Sequence, residues 1–71
     1  MTELQIKPSS NIIKVKYDTE HKVLAITFKN DAVYDYFDVH QETVDELLKA
    51  ESVGKFFHAN IKTKYECKAR K

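Results

Sequence analysis

The chain has 71 residues, which is room for one domain. Twelve Lys and Arg stand against eleven Asp and Glu, so the formal net charge is only +1 and a uniformly basic nucleic-acid coat is excluded. The single cysteine, Cys67, excludes an internal disulfide; no apolar run reaches the roughly 18 residues of a membrane span, and no signal peptide is read, so a cytoplasmic setting without a membrane partner is expected.

Residues 1–8 carry weak pattern and read as an N-terminal extension, with Pro8-Ser9-Ser10 as a loop. From Asn11 to Tyr17, Ile13, Val15 and Tyr17 alternate with Lys14 and Lys16, which predicts a half-buried strand. Asp18 to His21 is a polar turn. Val23 to Phe28 is a second strand with Leu24, Ile26 and Phe28 on one face, and Asn30-Asp31 is a turn signal because both types tolerate positive φ. A third strand runs from Ala32 to Val39. The period then changes to 3.6, with Val44, Leu47 and Leu48 on one helical face and Glu42, Asp45 and Glu46 as a solvated early turn that complements the helix dipole. Ser52 reads as the N-cap of a second helix whose buried stripe is Val53, Phe56, Phe57 and Ile61, and Gly54, the only glycine, permits close packing in its first turn. After Thr63 the pattern fades, and residues 66–71 read as a basic tail. The expected fold is α+β: a three-stranded antiparallel meander followed by two helices packed on one sheet face.

Strand register decides what the central Tyr34-Asp35-Tyr36-Phe37 does. In the first hairpin, a loop at Asp18–His21 pairs Tyr17 with Lys22, Val15 with Leu24 and Ile13 with Ile26. The second hairpin has two solutions. A two-residue loop at Asn30-Asp31 pairs Ile26 with Asp35 and turns both tyrosines to the other face, as a stacking platform for bases. A three-residue loop at Lys29–Asp31 pairs Ile26 with Tyr34 and Leu24 with Tyr36, and both rings join the core. Burying the Asp35 carboxylate beside Ile26 is costly unless it is paired, which favours the second solution.

The order and spacing of Ser9-Ser10-Asn11-Ile12, Tyr17-Asp18, Tyr34-Asp35-Tyr36-Phe37, Val39, Ala50-Glu51-Ser52-Val53-Gly54, Phe57, Ile61 and Tyr65 resemble the KTSC domain family over residues 9–65. That family is named for a short domain at the C-terminus of some lysyl-tRNA synthetases, and it also occurs as a small stand-alone protein in bacteria and phages. The resemblance makes Tyr34, Tyr36, Phe37, Ser52, Gly54 and Phe57 motif residues with a structural role. It implies no catalytic residues, and RNA binding is the function it suggests. The chain has Lys16 and Asp31 where the family favours glycine, and His40 and Glu66 where it favours proline.

Nothing in the spacing points to an enzyme, a cofactor or a metal. His21, His40 and His58 lie 19 and 18 residues apart, so no pair has short-range zinc spacing. Cys67 sits between Lys64 and Lys68 with no resolving partner and reads as a chance tail cysteine. Charge, however, is uneven. Residues 1–51 carry a net of −4 and residues 52–71 a net of +5. Two functions from different classes follow. An RNA-binding module would neutralise phosphates with Lys55, Lys62, Lys64, Lys68 and Arg70 and stack a base on Tyr65. A protein-interaction module would offer a sheet edge, or an outward face of Phe37 and Val39, to a partner.

Overall fold

A computed structural model describes residues 2–6 and 11–70; the expected Pro8-Ser9-Ser10 loop lies outside them. The elements are β1 (Thr2–Leu4), β2 (Ile12–Asp18), β3 (Val23–Phe28), β4 (Val33–Tyr36), α1 (Gln41–Lys49), α2 (Val53–Asn60) and β5 (Cys67–Ala69). Among the described residues the strands form one antiparallel sheet in the order β1-β2-β3-β4-β5. The meander of three strands is therefore the centre of a five-stranded sheet. Both outer strands have three residues, too short for alternation to register in the sequence. Backbone pairing supplies them instead: Leu4 lies opposite Val15, and Cys67 opposite Tyr36. The expected basic tail thus contains an edge strand, held further by Arg70 N–H donating to the Val33 carbonyl at 2.8 Å.

The first hairpin differs from expectation by one residue. Asp18 pairs with Val23, so the loop is Thr19–Lys22, and Val15 meets Ile26 instead of Leu24. Asp18 is kept in the strand because its carboxylate organises the loop. Its Oδ1 accepts from the Glu20 and His21 amides at 3.0 and 3.2 Å, and its Oδ2 sits 3.0 Å from His21 Nδ1. The His21 contact holds the Asp18 carboxyl below its usual range. Lys22 then closes the loop at φ 57°. A bulge between Ile12 and Lys14 breaks the alternation. It turns Ile12 into the core and leaves Ile13, expected inside, 51% exposed.

The second hairpin takes the three-residue loop. Leu24 faces Tyr36 and Ile26 faces Tyr34. Asp31 sits at φ 67°, and Phe28 N–H donates to Ala32 at 2.8 Å across the loop. Such loops end in one left-handed residue, and aspartate is among the few side chains that tolerate it. The tyrosines therefore lie on the helix-covered face, Tyr36 buried and Tyr34 half-buried, and a stacking platform on the opposite face is excluded.

That face carries the core. Val15, Tyr17, Leu24, Ile26 and Tyr36 from the sheet pack with Val44 and Leu47 from α1, and Val53, Phe57 and Ile61 around α2. Ser52 Oγ accepts from Lys55 N–H at 3.3 Å and caps α2, as its type and position predict. His40 occupies the α1 N-cap without a side-chain bond. Between β4 and α1 the chain crosses from sheet to helix at Val39, which is fully buried. Both its backbone groups are held: its N–H donates to the Lys22 carbonyl at 2.9 Å, and its carbonyl accepts from the Tyr17 hydroxyl. Val39 is therefore part of the core and offers nothing to a partner; Phe37 is half-buried.

Candidate functional site

The six residues expected to bind nucleic acid do not form one patch. Lys55 is exposed in the first turn of α2, and Lys62 and Lys64 are exposed in the turn that follows it. On helical spacing Lys55 lies away from the buried side of Val53 and Phe57, whereas Lys62 follows the end of α2. Tyr65 is half-buried against the core, and its hydroxyl lies 3.3 Å from Thr43 Oγ1. Its ring is a packing element with one polar tip, so a base can reach only part of it. Lys68 pairs with Asp35 across β4 and β5, which sets it on the opposite, helix-free face of the sheet. Arg70 joins it there: its guanidinium grips Asp35 at 2.6 Å (Nη2 to Oδ1) and 3.3 Å (Nε to Oδ2). That paired fork orders both side chains. Asp35 thus points away from the core, as the register argument requires, but it is held by a cation.

What the sequence did not point to is a cleft of about 580 Å³ between the β3–β4 hairpin, α2 and β5. Tyr36 and Phe57 form its floor, with ring centroids 5.2 Å apart at 82°. Phe28 and Tyr34 are half-buried at its side, 5.7 Å apart at 78°. Phe28 also meets Phe57 edge-on at 5.5 Å, and Phe57 meets His58 at 5.6 Å. Lys29, Asn30, Ala32, His58, Lys62, Asn11 and Cys67 complete the lining. Edge-to-face packing of this kind stiffens the floor beyond its area burial.

Cys67 gains a definite place here. It lies opposite Tyr36 on β5 and lines the same cleft. Burial above all, with the neighbouring Cys67 and Tyr34 adding to it, pushes the Tyr36 phenol up to about 12. The phenol is therefore a hydrogen-bonding group at neutral pH, not a base. Among the described residues no three His, Cys, Asp or Glu side chains converge as a metal site, and no helix is long and apolar enough to cross a membrane. Of the cleft residues only Lys62, Tyr34, Tyr36 and Phe57 stood out in the sequence. Lys29 and Asn30 looked like ordinary turn residues, and His58 like an isolated histidine. The one available signal was the three-residue loop, which lifts Lys29 to the hairpin tip above Tyr34.

Comparison with known proteins agrees with this fold. The KTSC domain model matches residues 8–65. A protein from Tsukamurella paurometabola is 36% identical over 66 residues, covering 93% of this chain and 98% of its own length. A lysine–tRNA ligase from Trichormus variabilis is 36% identical over 62 residues, which are 86% of this chain but 11% of the ligase. The crystal structure of a KTSC domain protein from Yersinia pestis superposes with a TM-score of 0.87 at 30% identity, covering 96% of this chain and 97% of that one.

Proposed function

The chain belongs to the KTSC domain family, and on that premise we propose that it is a non-catalytic, cytoplasmic RNA-binding module that uses the helix side of the molecule. One observation carries the reading. From Ser52 to Tyr65 there is no acidic residue, while Lys55, Lys62 and Lys64 are all exposed. Among the described residues none of the three forms an ion pair. Three uncommitted ammonium groups on one turn-and-helix segment suit a phosphate backbone better than any other common partner. The lysine–tRNA ligases that carry a related segment give the proposal its context, since their substrate is an RNA. Lys68 and Arg70 drop out of the interface, because they belong to the other face of the sheet.

The protein-interaction reading has less support. Among the described residues Ile13 is the only large apolar side chain that is exposed. A partner would have to add a strand beside β1 or β5, three residues each.

An NMR titration of the labelled chain with single-stranded RNA at 50 and 200 mM salt tests the proposal. Three phosphate contacts give a slope near −2 on logarithmic axes, so affinity should fall about 20-fold over that interval. Shifts should centre on Lys55, Lys62 and Lys64. No shift at about 1 mM RNA, above the weakest usual non-specific Kd of about 0.1 mM, overturns it.

A further inference from the structure

The chain carries eleven acidic residues, yet none lines the cleft between the β3–β4 hairpin and α2. Besides Tyr34 and Tyr36, its charged and titratable lining is Lys29, Lys62, His58 and Cys67. Among the described residues neither lysine has a carboxylate partner. The opening therefore favours an anion. The interior favours something flat: Phe28 and Tyr34 are half-buried and meet edge-to-face, an arrangement that leaves ring surface open to a third planar group. Asn30 adds a polar handle at the hairpin tip. Its Oδ1 accepts from Ala32 N–H at 3.1 Å, which fixes the amide and leaves its NH₂ to donate outward. A volume of about 580 Å³ is within the range of small-ligand sites. Aromatic surface, an amide donor and two unpaired ammonium groups together describe one ligand chemistry, a base joined to a phosphate.

We propose that this cleft is a nucleotide site: one unstacked base lies against Phe28 and Tyr34, Asn30 donates to its edge, and the adjoining phosphate is held by Lys29 and Lys62. The inference rests on the RNA-binding reading for the source of the nucleotide, a strand and not a free mononucleotide. It makes the module selective for single-stranded or looped RNA, since a base inside a duplex is paired and stacked and cannot enter. Base-on-aromatic contact tolerates any base, so strong sequence preference is not expected.

Cys67 makes the proposal testable. It lines the cleft, it is exposed, and it is the chain's single cysteine, so alkylation of the full chain reads out one position. The rate of iodoacetamide modification is measured with short single-stranded RNA, with duplex RNA of the same sequence, and with a nucleoside monophosphate. At about ten times its Kd an occupying ligand leaves about one cleft in eleven open, so single-stranded RNA should slow modification about tenfold. Duplex RNA should not. Amide shifts should reach Phe28, Lys29 and Tyr34. Lys29→Glu with Lys62→Glu, both at exposed positions, should abolish protection with an unchanged circular-dichroism spectrum. RNA that binds with shifts only at Lys55 and Lys64, leaving Cys67 unprotected, overturns the cleft and spares the RNA-binding reading. Protection by the mononucleotide with no RNA binding does the reverse. Protection by neither overturns the nucleotide site.

Discussion

Tyr17 sits at the mechanical joint of the fold, and removing its hydroxyl is the sharpest test of how the helices are held to the sheet. Its ring is 4% exposed and its hydroxyl donates to the carbonyl of Val39, itself fully buried. Tyr17→Phe keeps the ring and its packing. It deletes one buried hydrogen bond and leaves a carbonyl without that donor. The net loss should be about 1–2 kcal/mol, the bond itself plus part of the desolvation cost of its abandoned partner. In a domain of 71 residues that corresponds to a fall of about 5–15 °C in Tm. Urea unfolding followed by far-ultraviolet circular dichroism measures it directly. With m near 1 kcal/mol/M, the midpoint should drop by about 1–2 M at unchanged m. Hydrogen exchange should also speed up at the Val39 amide, which is bonded to Lys22 on the neighbouring hairpin. A midpoint within about 0.3 M of wild type would refute the joint, because it would mean that the carbonyl is satisfied equally well without Tyr17.

Other consequences follow from single positions. The Tyr36 phenol has a folded pKa raised above its ordinary 10; its neutral form is favoured in the fold, so stability is fully present below pH 10 and is lost as pH rises from 10 toward about 12. Absorbance at the tyrosinate band should show a component with its midpoint near 12 that Tyr36→Phe removes. Lys22 holds φ 57° with a side chain that gains nothing from that conformation; Lys22→Gly should raise stability by up to about 1 kcal/mol in urea unfolding. Ser52→Ala removes the acceptor for Lys55 N–H and should cost about 1 kcal/mol, read the same way.

Much of this fold could be read from residue order, and the places where reading failed share a cause. Alternation over six or seven residues located β2 and β3, and the change to a 3.6 period located both helices. The carboxylate of Asp35 selected the right hairpin register, because a buried unpaired charge is a larger penalty than an outward Val33. The bulge at Ile13 was invisible, since Ile12 and Ile13 are equally apolar and only packing decides which one turns inward. The loop of the first hairpin slipped by one because a carboxylate at Asp18 bonds two loop amides from within the strand. Strands β1 and β5 were missed because three residues carry no period; what orders them is the open edge of their neighbours. The cleft was missed for a similar reason. Its residues come from segments as far apart as Asn11 and Cys67, and only tertiary placement gathers them.

The edge strand also changes how the RNA interface must be tested. Read as a loose basic tail, the segment after Lys64 invites truncation, with loss of binding taken as proof of contact. In the folded chain that cut deletes β5, removes the partners of Tyr34 and Tyr36 on that side of β4, and takes one wall from the cleft. Loss of binding would then report a damaged sheet. Point substitutions separate the two effects. Arg70 is 47% exposed but bound to an Asp35 carboxylate that is 20% exposed, so its charge is largely neutralised where it stands. Arg70→Gln should cost up to about 1 kcal/mol of stability, the usual ceiling for a half-exposed pair, and leave the salt dependence of RNA binding unchanged. Lys64→Gln touches no partner among the described residues. It should leave stability unchanged and make the salt slope shallower by about 0.7, the contribution of one contact to a single strand. If the two substitutions exchange these effects, the phosphates lie on the helix-free face of the sheet, where Lys14, Lys16 and Lys68 also stand, and the helix-side interface is wrong.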